Sequence, residues 1–355
     1  MRSITMVPVL SRLIRPVWQP TPASLRGFAL ASVIANAVII STGAAVRLSS
    51  SGLGCPDWPK CTGSSAVAAH SVGQTTLNTW IEFGNRLLNF PLVAIAGLTF
   101  IACLRYYRAT GRTRKDLVWL SAILPGGVIA QAVVGGIVVL TKLNPAMVAA
   151  HFLLSTAIIL TAAVVLHARA AALAEPAAGG PPPRRDLRVL AGLLTGITAL
   201  MLAAGTVVTG TGPLAGTTID SRGHRTTVPR FHFSLESVTQ LHADIGWFIA
   251  ALTVALVIGL RYAGGSPRTM RLGYFVLAGL AMQGVIGYVQ YFSHLPAGLV
   301  WVHVAGSVTI WIFVLQLLLS TGTNTPRSPA GAGGADENTA GESAVSASPI
   351  KTTIL

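Results

Sequence analysis

Charged residues are scarce in this chain, and acidic ones are the scarcest. Of its 355 residues only 11 are Asp or Glu, charged residues make up 10%, and hydrophobic residues make up 52%. A single soluble core cannot hide that much apolar surface. The composition therefore excludes an ordinary soluble domain and favours a protein embedded in lipid.

The net charge of +14 raises the alternative of a nucleic-acid partner. The basic residues are, however, spread over the loops beside apolar segments, where membrane topology and anionic lipid account for them. We therefore predict membrane lipid, and no nucleic acid, as a partner. The first 26 residues also lack an uninterrupted apolar core and a small-residue cleavage site, so the first apolar segment is expected to act as an uncleaved signal.

Eight apolar segments are long enough to cross a bilayer, which takes about 20 predominantly apolar residues. Of the 25 Lys and Arg residues, 18 fall on the side that holds the N-terminus. Because basic residues are retained on the cytoplasmic side, we predict an all-α integral membrane protein with both termini cytoplasmic. The predicted spans lie near 27–46, 78–103, 117–140, 146–168, 188–210, 238–260, 270–292 and 297–320.

The third and fourth predicted spans resemble the seventh and eighth. Gln131-Ala-Val-Val-Gly135 aligns with Gln283-Gly-Val-Ile-Gly287, and His151 aligns with His303, all at a constant offset of 152 residues. Chance rarely gives such agreement across two pairs of apolar helices. The chain is therefore predicted to hold two pseudo-symmetric four-helix bundles in parallel orientation.

The remaining spans of the two bundles show weaker similarity. Gly43-Ala-Ala-Val46 resembles Gly205-Thr-Val-Val208, and Asn85 falls opposite His242, although at a different offset of 157. The predicted segments are a cytoplasmic arm (1–26), a first half (27–173), a cytoplasmic linker (174–187), a second half (188–320) and a disordered cytoplasmic tail (321–355).

Polar residues recur at one depth in the even-numbered spans, all of which enter from the outer side. Each lies within about two turns of that entry, where ionisable groups are costly to bury and usually functional. Neutral imidazoles on facing helices suit axial ligation of haem iron, which predicts a haem between His242 and His303 and a further ligand at His151. The alternative for each histidine is an interhelical hydrogen bond. The residues at this depth are Glu82, Asn85, His151, His242 and His303.

Glu82 lies three residues before Asn85, so the two share one helix face. A carboxylate there could stabilise a cationic intermediate or relay protons, which makes Glu82 a candidate catalytic residue. The alternative is a structural ion pair with Arg86.

Two of the three cysteines lie in the first predicted outer loop. Cys55 and Cys61 flank Pro-Asp-Trp-Pro-Lys in this oxidising location, whereas Cys103 is solitary at the inner end of the second span. We therefore predict a disulfide. A metal or c-type haem site is the alternative, but no CxxCH follows and no His or third Cys is adjacent.

The stretch from Gly43 to Cys61 resembles the first outer loop of the haem A synthase family. The similarity continues through Glu82-Phe-Gly-Asn-Arg86, through 131–145 and His151, through Leu241-His242-Ala-Asp244 and through 283–303, and it covers about residues 27–320. The resemblance implies an enzyme that oxidises the methyl group of haem O to the formyl group of haem A by successive hydroxylations, for the assembly of terminal oxidases.

The resemblance also implies particular roles for the candidate residues. His242 and His303 would be the axial ligands of a haem b cofactor in the second half. The first half would bind the substrate haem through His151, Asn85 and Arg86, with Glu82 as the acidic residue that acts in the reaction. The loop cysteines Cys55 and Cys61 match the family's cysteine pair.

Two departures from the family pattern stand out. The family usually has a histidine where this chain has Asn85, and an amide is a poor ligand for haem iron. The substrate iron is therefore expected to have one protein imidazole. The loop 211–237 also lacks the second cysteine pair that some members carry.

Two other functions fit part of the sequence. A di-haem electron-transfer cytochrome, such as a quinone oxidoreductase, would use the same histidines without chemistry on the porphyrin. A solute transporter would suit duplicated halves, but the predicted helices lack mid-bilayer breaks.

The high Arg-to-Lys ratio and abundant Ala and Gly favour a bacterial cell membrane. The resemblance leaves open a homo-oligomer and a partnership with oxidase assembly factors or with the farnesyltransferase that makes haem O.

Overall fold

The computed structural model describes residues 16–63, 65–68, 75–175, 184–219 and 225–322. Within these ranges eight helical spans are long and apolar enough to cross a membrane, which confirms the predicted number. We number them in chain order: span 1 Pro22–Leu48, span 2 Thr76–Ala109, span 3 Lys115–Leu140, span 4 Pro145–Ala174, span 5 Arg185–Thr211, span 6 Leu235–Tyr262, span 7 Pro267–Phe292 and span 8 Ala297–Ser320.

Several predicted segments fall partly outside the described residues. These are the first 15 residues of the predicted arm, positions 176–183 of the predicted linker, and the predicted tail from residue 323 onward.

Local sequence signals determine where the spans begin. Thr21 caps span 1, because its side chain accepts a hydrogen bond from the Ser24 backbone N–H and Pro22 follows it. Asn144 caps span 4 in the same way, accepting from the Ala146 backbone N–H at 3.0 Å ahead of the first-turn Pro145. This cap sets the start of span 4 and therefore the height of the histidine that follows.

Two spans are not regular α-helices throughout, although each is still one continuous membrane span. Span 2 consists of helices Thr76–Leu87 and Asn89–Ala109. The interruption at Leu88 precedes Pro91, which has no N–H to donate to the carbonyl four residues earlier. Span 4 changes from α-helix (Pro145–Leu153) to π-helix (Leu154–Leu160) and back to α-helix (Thr161–Ala174).

Close packing of small residues joins spans 1 and 4 of the first half, and the core they form extends into the second half. Ala29 in span 1 and Ala163 and Ala170 in span 4 are fully buried, which lets the helix backbones approach closely. The same core cluster includes Leu202 of span 5 and Trp311 of span 8. Large apolar side chains on the outside, such as Phe90, Trp119 and Phe292 at 73% exposure each, face outward as lipid-contacting residues do.

A short 3-10 turn and two strands lie in the loop between spans 5 and 6. After span 5 come a 3-10 turn, Pro213–Ala215, and a two-stranded antiparallel hairpin, β1 Thr217–Ile219 with β2 Arg225–Thr227. A small buried cluster connects this loop to the first outer loop and to the end of span 3. Its members are Leu53, Val139, Leu143, Ala215 and Val228.

Candidate functional site

One cavity of about 1370 Å³ is lined by residues of all eight spans. Sites for small molecules typically measure about 300–1000 Å³, so this cavity has room for more than one such ligand. Its wall is mainly apolar. All five polar residues predicted to share one depth contribute to it, namely Glu82, Asn85, His151, His242 and His303.

His242 of span 6 and His303 of span 8 face each other across the second half. Their ring centroids are 6.2 Å apart and the ring planes are inclined by 58°. An imidazole nitrogen lies about 2.0–2.1 Å from a bound metal such as zinc, and adding the radius of each ring gives roughly 6 Å between the centres of two axial imidazoles. The observed separation therefore fits a metal held between the two rings.

The side chains available as ligands distinguish a bare metal ion from an iron held in a macrocycle. Within the described ranges, no cluster of three or more His, Cys, Asp or Glu side chains could hold a bare metal ion. Two imidazoles complete the coordination of an iron that already has the four nitrogens of a macrocycle. The Nδ1 atoms of His151, His242 and His303 are also buried and have no hydrogen-bond partner among the described residues. These Nδ1 atoms do not bind an iron if Nε2 does, so it is the facing rings and the cavity that favour a haem.

A glycine of a neighbouring span lies against each of the three predicted histidine ligands and against Asn85. A Cβ atom on that glycine would approach the Cε1 atom of the histidine to between 3.1 and 3.5 Å, or the Nδ2 atom of the asparagine to 3.9 Å. The Nδ1–Cε1 edge of each imidazole thus faces a glycine. The same arrangement occurs twice in each half. The pairs are Gly43 with Asn85, Gly135 with His151, Gly205 with His242 and Gly287 with His303.

Gln131 of span 3 fixes the backbone of span 4 at the predicted ligand of the first half. Its Nε2 atom donates to the His151 carbonyl oxygen at 2.9 Å and to Ser155 Oγ at 2.5 Å. The sequence marked Gln131 only as part of the repeat. The structure makes it a positioning residue for His151.

Glu82 lies on the cavity wall and is 6% exposed. Its Oε1 atom is 2.6 Å from Arg86 Nη2, and its Oε2 atom accepts a hydrogen bond from the Cys55 backbone N–H at 2.8 Å. Arg86 also donates to the carbonyl oxygens of Cys55 and Lys60, at 3.0 and 3.1 Å. The ion pair that the sequence offered as the alternative is therefore present, and it anchors the first outer loop to span 2.

Cys55 and Cys61 form the predicted disulfide, while Cys103 is free and buried. The disulfide closes the loop that Glu82 and Arg86 hold. This network places the loop residue Trp58 on the cavity wall, where its indole lies against Gly136 of span 3.

Arg47 is a cavity residue that the sequence reasoning missed. It ends span 1, is half-buried, and donates three hydrogen bonds to the outer end of span 5 and the loop behind it. A single charge at the end of the motif Gly43-Ala-Ala-Val-Arg47 was the available signal.

Comparison with known proteins agrees with this geometry. A sequence model of the family described as COX15-CtaA, cytochrome oxidase assembly protein, matches residues 26–315. Three bacterial relatives named heme A synthase align over shorter stretches. They come from Geobacillus thermodenitrificans (29% identical over 119 residues, 34% of this chain and 34% of the relative), Lysinibacillus sphaericus (29% over 131 residues, 37% and 40%) and Bacillus mycoides (30% over 124 residues, 34% and 36%).

The aligned stretches span about a third to two fifths of the length of these relatives. The match to the family model is much longer and includes every predicted ligand position. On that match, this multi-pass membrane chain belongs to the COX15-CtaA family of cytochrome oxidase assembly proteins.

Proposed function

We propose that the protein is a haem A synthase of a bacterial cell membrane, an oxidoreductase that converts the methyl group of haem O to the formyl group of haem A. The observation that carries this proposal is the difference between the two ends of one cavity. The second half has two facing imidazoles, His242 and His303, 6.2 Å apart, whereas the first half has one imidazole, His151, and an amide, Asn85. The names of the relatives support the same activity.

The second half suits a permanent cofactor. In this proposal His242 and His303 would hold haem b, and the glycines beside both rings leave room for the imidazoles. When bound, haem b supplies one-electron transfer between the substrate site and an acceptor outside this chain.

The first half suits a substrate that must be released. His151 ligates the iron of haem O, and Gln131 holds His151 at the required height. Asn85 leaves the opposite face of the substrate without a protein imidazole, because an amide is a poor ligand for haem iron. Its buried Oδ1 atom has no partner among the described residues and can accept a hydrogen bond from a group bound at that face.

The reaction removes four electrons from the substrate methyl group in two steps of two electrons each. In net balance each step consumes one water and releases two protons and two electrons, and the electrons pass to an acceptor outside this chain. The first step gives the alcohol, and the second gives a geminal diol that loses water to form the aldehyde. A carboxylate in a low-dielectric site stabilises positive charge that develops on the methyl carbon, and Glu82 supplies it. The contacts with Arg86 and with the Cys55 N–H position this carboxylate on the cavity wall.

The deciding experiment is co-expression of the full chain with a source of haem O, followed by extraction of the haems and chromatography. We expect haem A together with its alcohol precursor. A di-haem electron-transfer cytochrome would instead retain haem without producing either compound, and a solute transporter would purify without haem absorption. Absence of both haem A and the alcohol in the presence of haem O would overturn the proposal.

A further inference from the structure

Arg47 lies where the two halves meet on the predicted outer side. Its Nε atom donates to the Ala215 carbonyl oxygen at 3.2 Å, its Nη1 to Thr209 Oγ1 at 3.3 Å, and its Nη2 to the Thr209 carbonyl oxygen at 3.3 Å. When Gly43 is aligned with Gly205, Arg47 aligns with Thr209. Arg47 thus contacts its own counterpart in the second half, which places it at the junction of the two bundles.

Among the described residues, no carboxylate balances the charge of Arg47. Ion pairs in the described part of the chain join Arg26 to Glu175, Arg86 to Glu82, Arg114 to Asp116 and Arg184 to Asp186. The three partners of Arg47 are neutral oxygens, and its remaining surface contributes to the cavity. A guanidinium has five N–H donors, so one on each terminal nitrogen is left for a ligand. A cation held in an apolar cavity is costly unless an anion pairs with it.

Arg47 lies about one helical turn further outward than the level of the predicted haem sites in both halves. Gly43 contacts Asn85 and Gly205 contacts His242, and Arg47 and Thr209 each lie four residues, or about one helical turn, further outward. The propionate carboxylates of a haem lie at one edge of the ring, away from the iron and its ligands. Arg47 is at the corresponding height above the ligand level.

We propose that Arg47 binds a propionate carboxylate of haem. This inference rests on the haem sites of the proposed function and adds an anionic subsite between them. Two sources present the same chemistry, the resident haem of the second half and the substrate haem of the first. Arginine suits this role because its planar donors bind carboxylate with charge-assisted hydrogen bonds.

The test measures haem loss from the purified full-length protein to excess apomyoglobin. One arm uses protein expressed without haem O, which reports the resident haem, and the other uses protein co-expressed with a haem O source, which reports the substrate haem. We expect Arg47→Gln to lose haem at least about tenfold faster in one of the two arms, and Arg47→Lys to lose it at an intermediate rate. The arm that responds identifies the haem.

Arg230→Gln is the matched control. Arg230 also belongs to the outer loop of the second half and donates to a neighbouring carbonyl, that of Pro213 at 3.2 Å, but it does not line the cavity. We expect its haem loss to equal that of the wild type.

A chemical probe avoids dependence on the folding of the variants. The wild-type protein is stripped of haem and reconstituted either with protohaem or with its dimethyl ester, which has no free carboxylates. The ester should dissociate about as fast as protohaem does from Arg47→Gln, and esterification should change nothing further in that variant. Equal dissociation of acid and ester from the wild type, together with unchanged haem loss from Arg47→Gln in both arms, would overturn the role of Arg47 even if haem A is produced. Failure to produce haem A, with Arg47-dependent haem binding intact, would overturn the proposed function alone.

Discussion

The indole of Trp311 in span 8 donates to the carbonyl oxygen of Thr156 in span 4 at 3.0 Å and lies 3.1 Å from Thr161 Oγ1. Thr156 belongs to the π-helical segment Leu154–Leu160, which begins three residues after His151. A π-helix widens the turn and alters the carbonyl pairing, and such segments occur often at functional sites. Because span 8 also holds His303, one buried hydrogen bond links the helices that hold a predicted ligand of each half.

Replacement of Trp311 by Phe should therefore weaken both the fold and the first-half site. Phe keeps most of the ring but leaves the buried Thr156 carbonyl with only the longer bond from Thr161 Oγ1, at 3.4 Å, and loss of the indole donor costs about 1–3 kcal/mol. We expect a lower Tm in detergent and a changed absorption spectrum of haem bound at His151, with the haem at His242 and His303 less affected.

Trp301→Phe is the control for Trp311. Trp301 also donates across helices from span 8, but it is 40% exposed and its partner is the Ser41 carbonyl oxygen of span 1, at 2.9 Å, rather than the π-helical segment. Its loss should cost less, about 0.5–1.5 kcal/mol. Equal effects of the two variants on the first-half spectrum would show that the π-helical contact has no special role.

Glu82→Gln tests the catalytic assignment. The amide has nearly the shape of the carboxylate, and its oxygen can still accept from the Cys55 N–H, so the outer loop should stay in place. Loss of the negative charge should slow conversion of haem O to haem A by about 10²–10³-fold, the range found when a group that stabilises transition-state charge is removed. Haem O should still be bound, as measured by haem extraction.

Glu236→Gln provides the comparison, because Glu236 lines the same cavity but is exposed at its outer end. Its conversion rate should be that of the wild type. Full conversion by Glu82→Gln would leave Glu82 with only its structural role as the partner of Arg86.

Asn85→His should add a second imidazole to the substrate site. Gly43 leaves room behind residue 85, since even a Cβ on that glycine would be 3.9 Å from the present side chain. We expect haem O in the wild type to lack the low-spin signature of two imidazoles in electron paramagnetic resonance, and Asn85→His to acquire it. The pair His242 and His303 provides an internal reference for that signature. A wild-type spectrum with two such haems would contradict the assignment of a single imidazole to the first half.

The contrast between His303 and Arg47 illustrates what the sequence can predict. The spans and the ligand positions follow from apolar length and from a repeat within the chain, both of which are local patterns. The partners of Arg47 lie 162 and 168 residues away, so only the folding of the outer loop onto span 1 brings them together.

The π-helix of span 4 shows a second limit. Its sequence, Leu-Ser-Thr-Ala-Ile-Ile-Leu, is ordinary for a membrane helix, and Trp311, which donates to its Thr156 carbonyl, lies 155 residues later in the chain. The interruption of span 2 is different, because Pro91 is a visible signal. Glu82 is predictable only in part. Its ion pair with Arg86 follows from helical spacing, whereas its hydrogen bond from the Cys55 N–H forms only once the loop is folded.

Gly135→Ala tests whether the glycine behind His151 positions that ring. A methyl group there would approach His151 Cε1 to 3.1 Å, so the ring must shift away from Gly135 and off the axis of the substrate iron. The alanine itself favours the helix by about 0.5–1 kcal/mol over glycine. We therefore expect Gly135→Ala to raise or preserve the Tm while it weakens retention of haem O, measured as haem per protein after purification.

Gly126→Ala, in the same span with no atom within 4 Å of the added Cβ, should give the same gain in stability and leave haem O retention unchanged. Equal retention in both variants would mean that the space beside His151 is not needed for ligation.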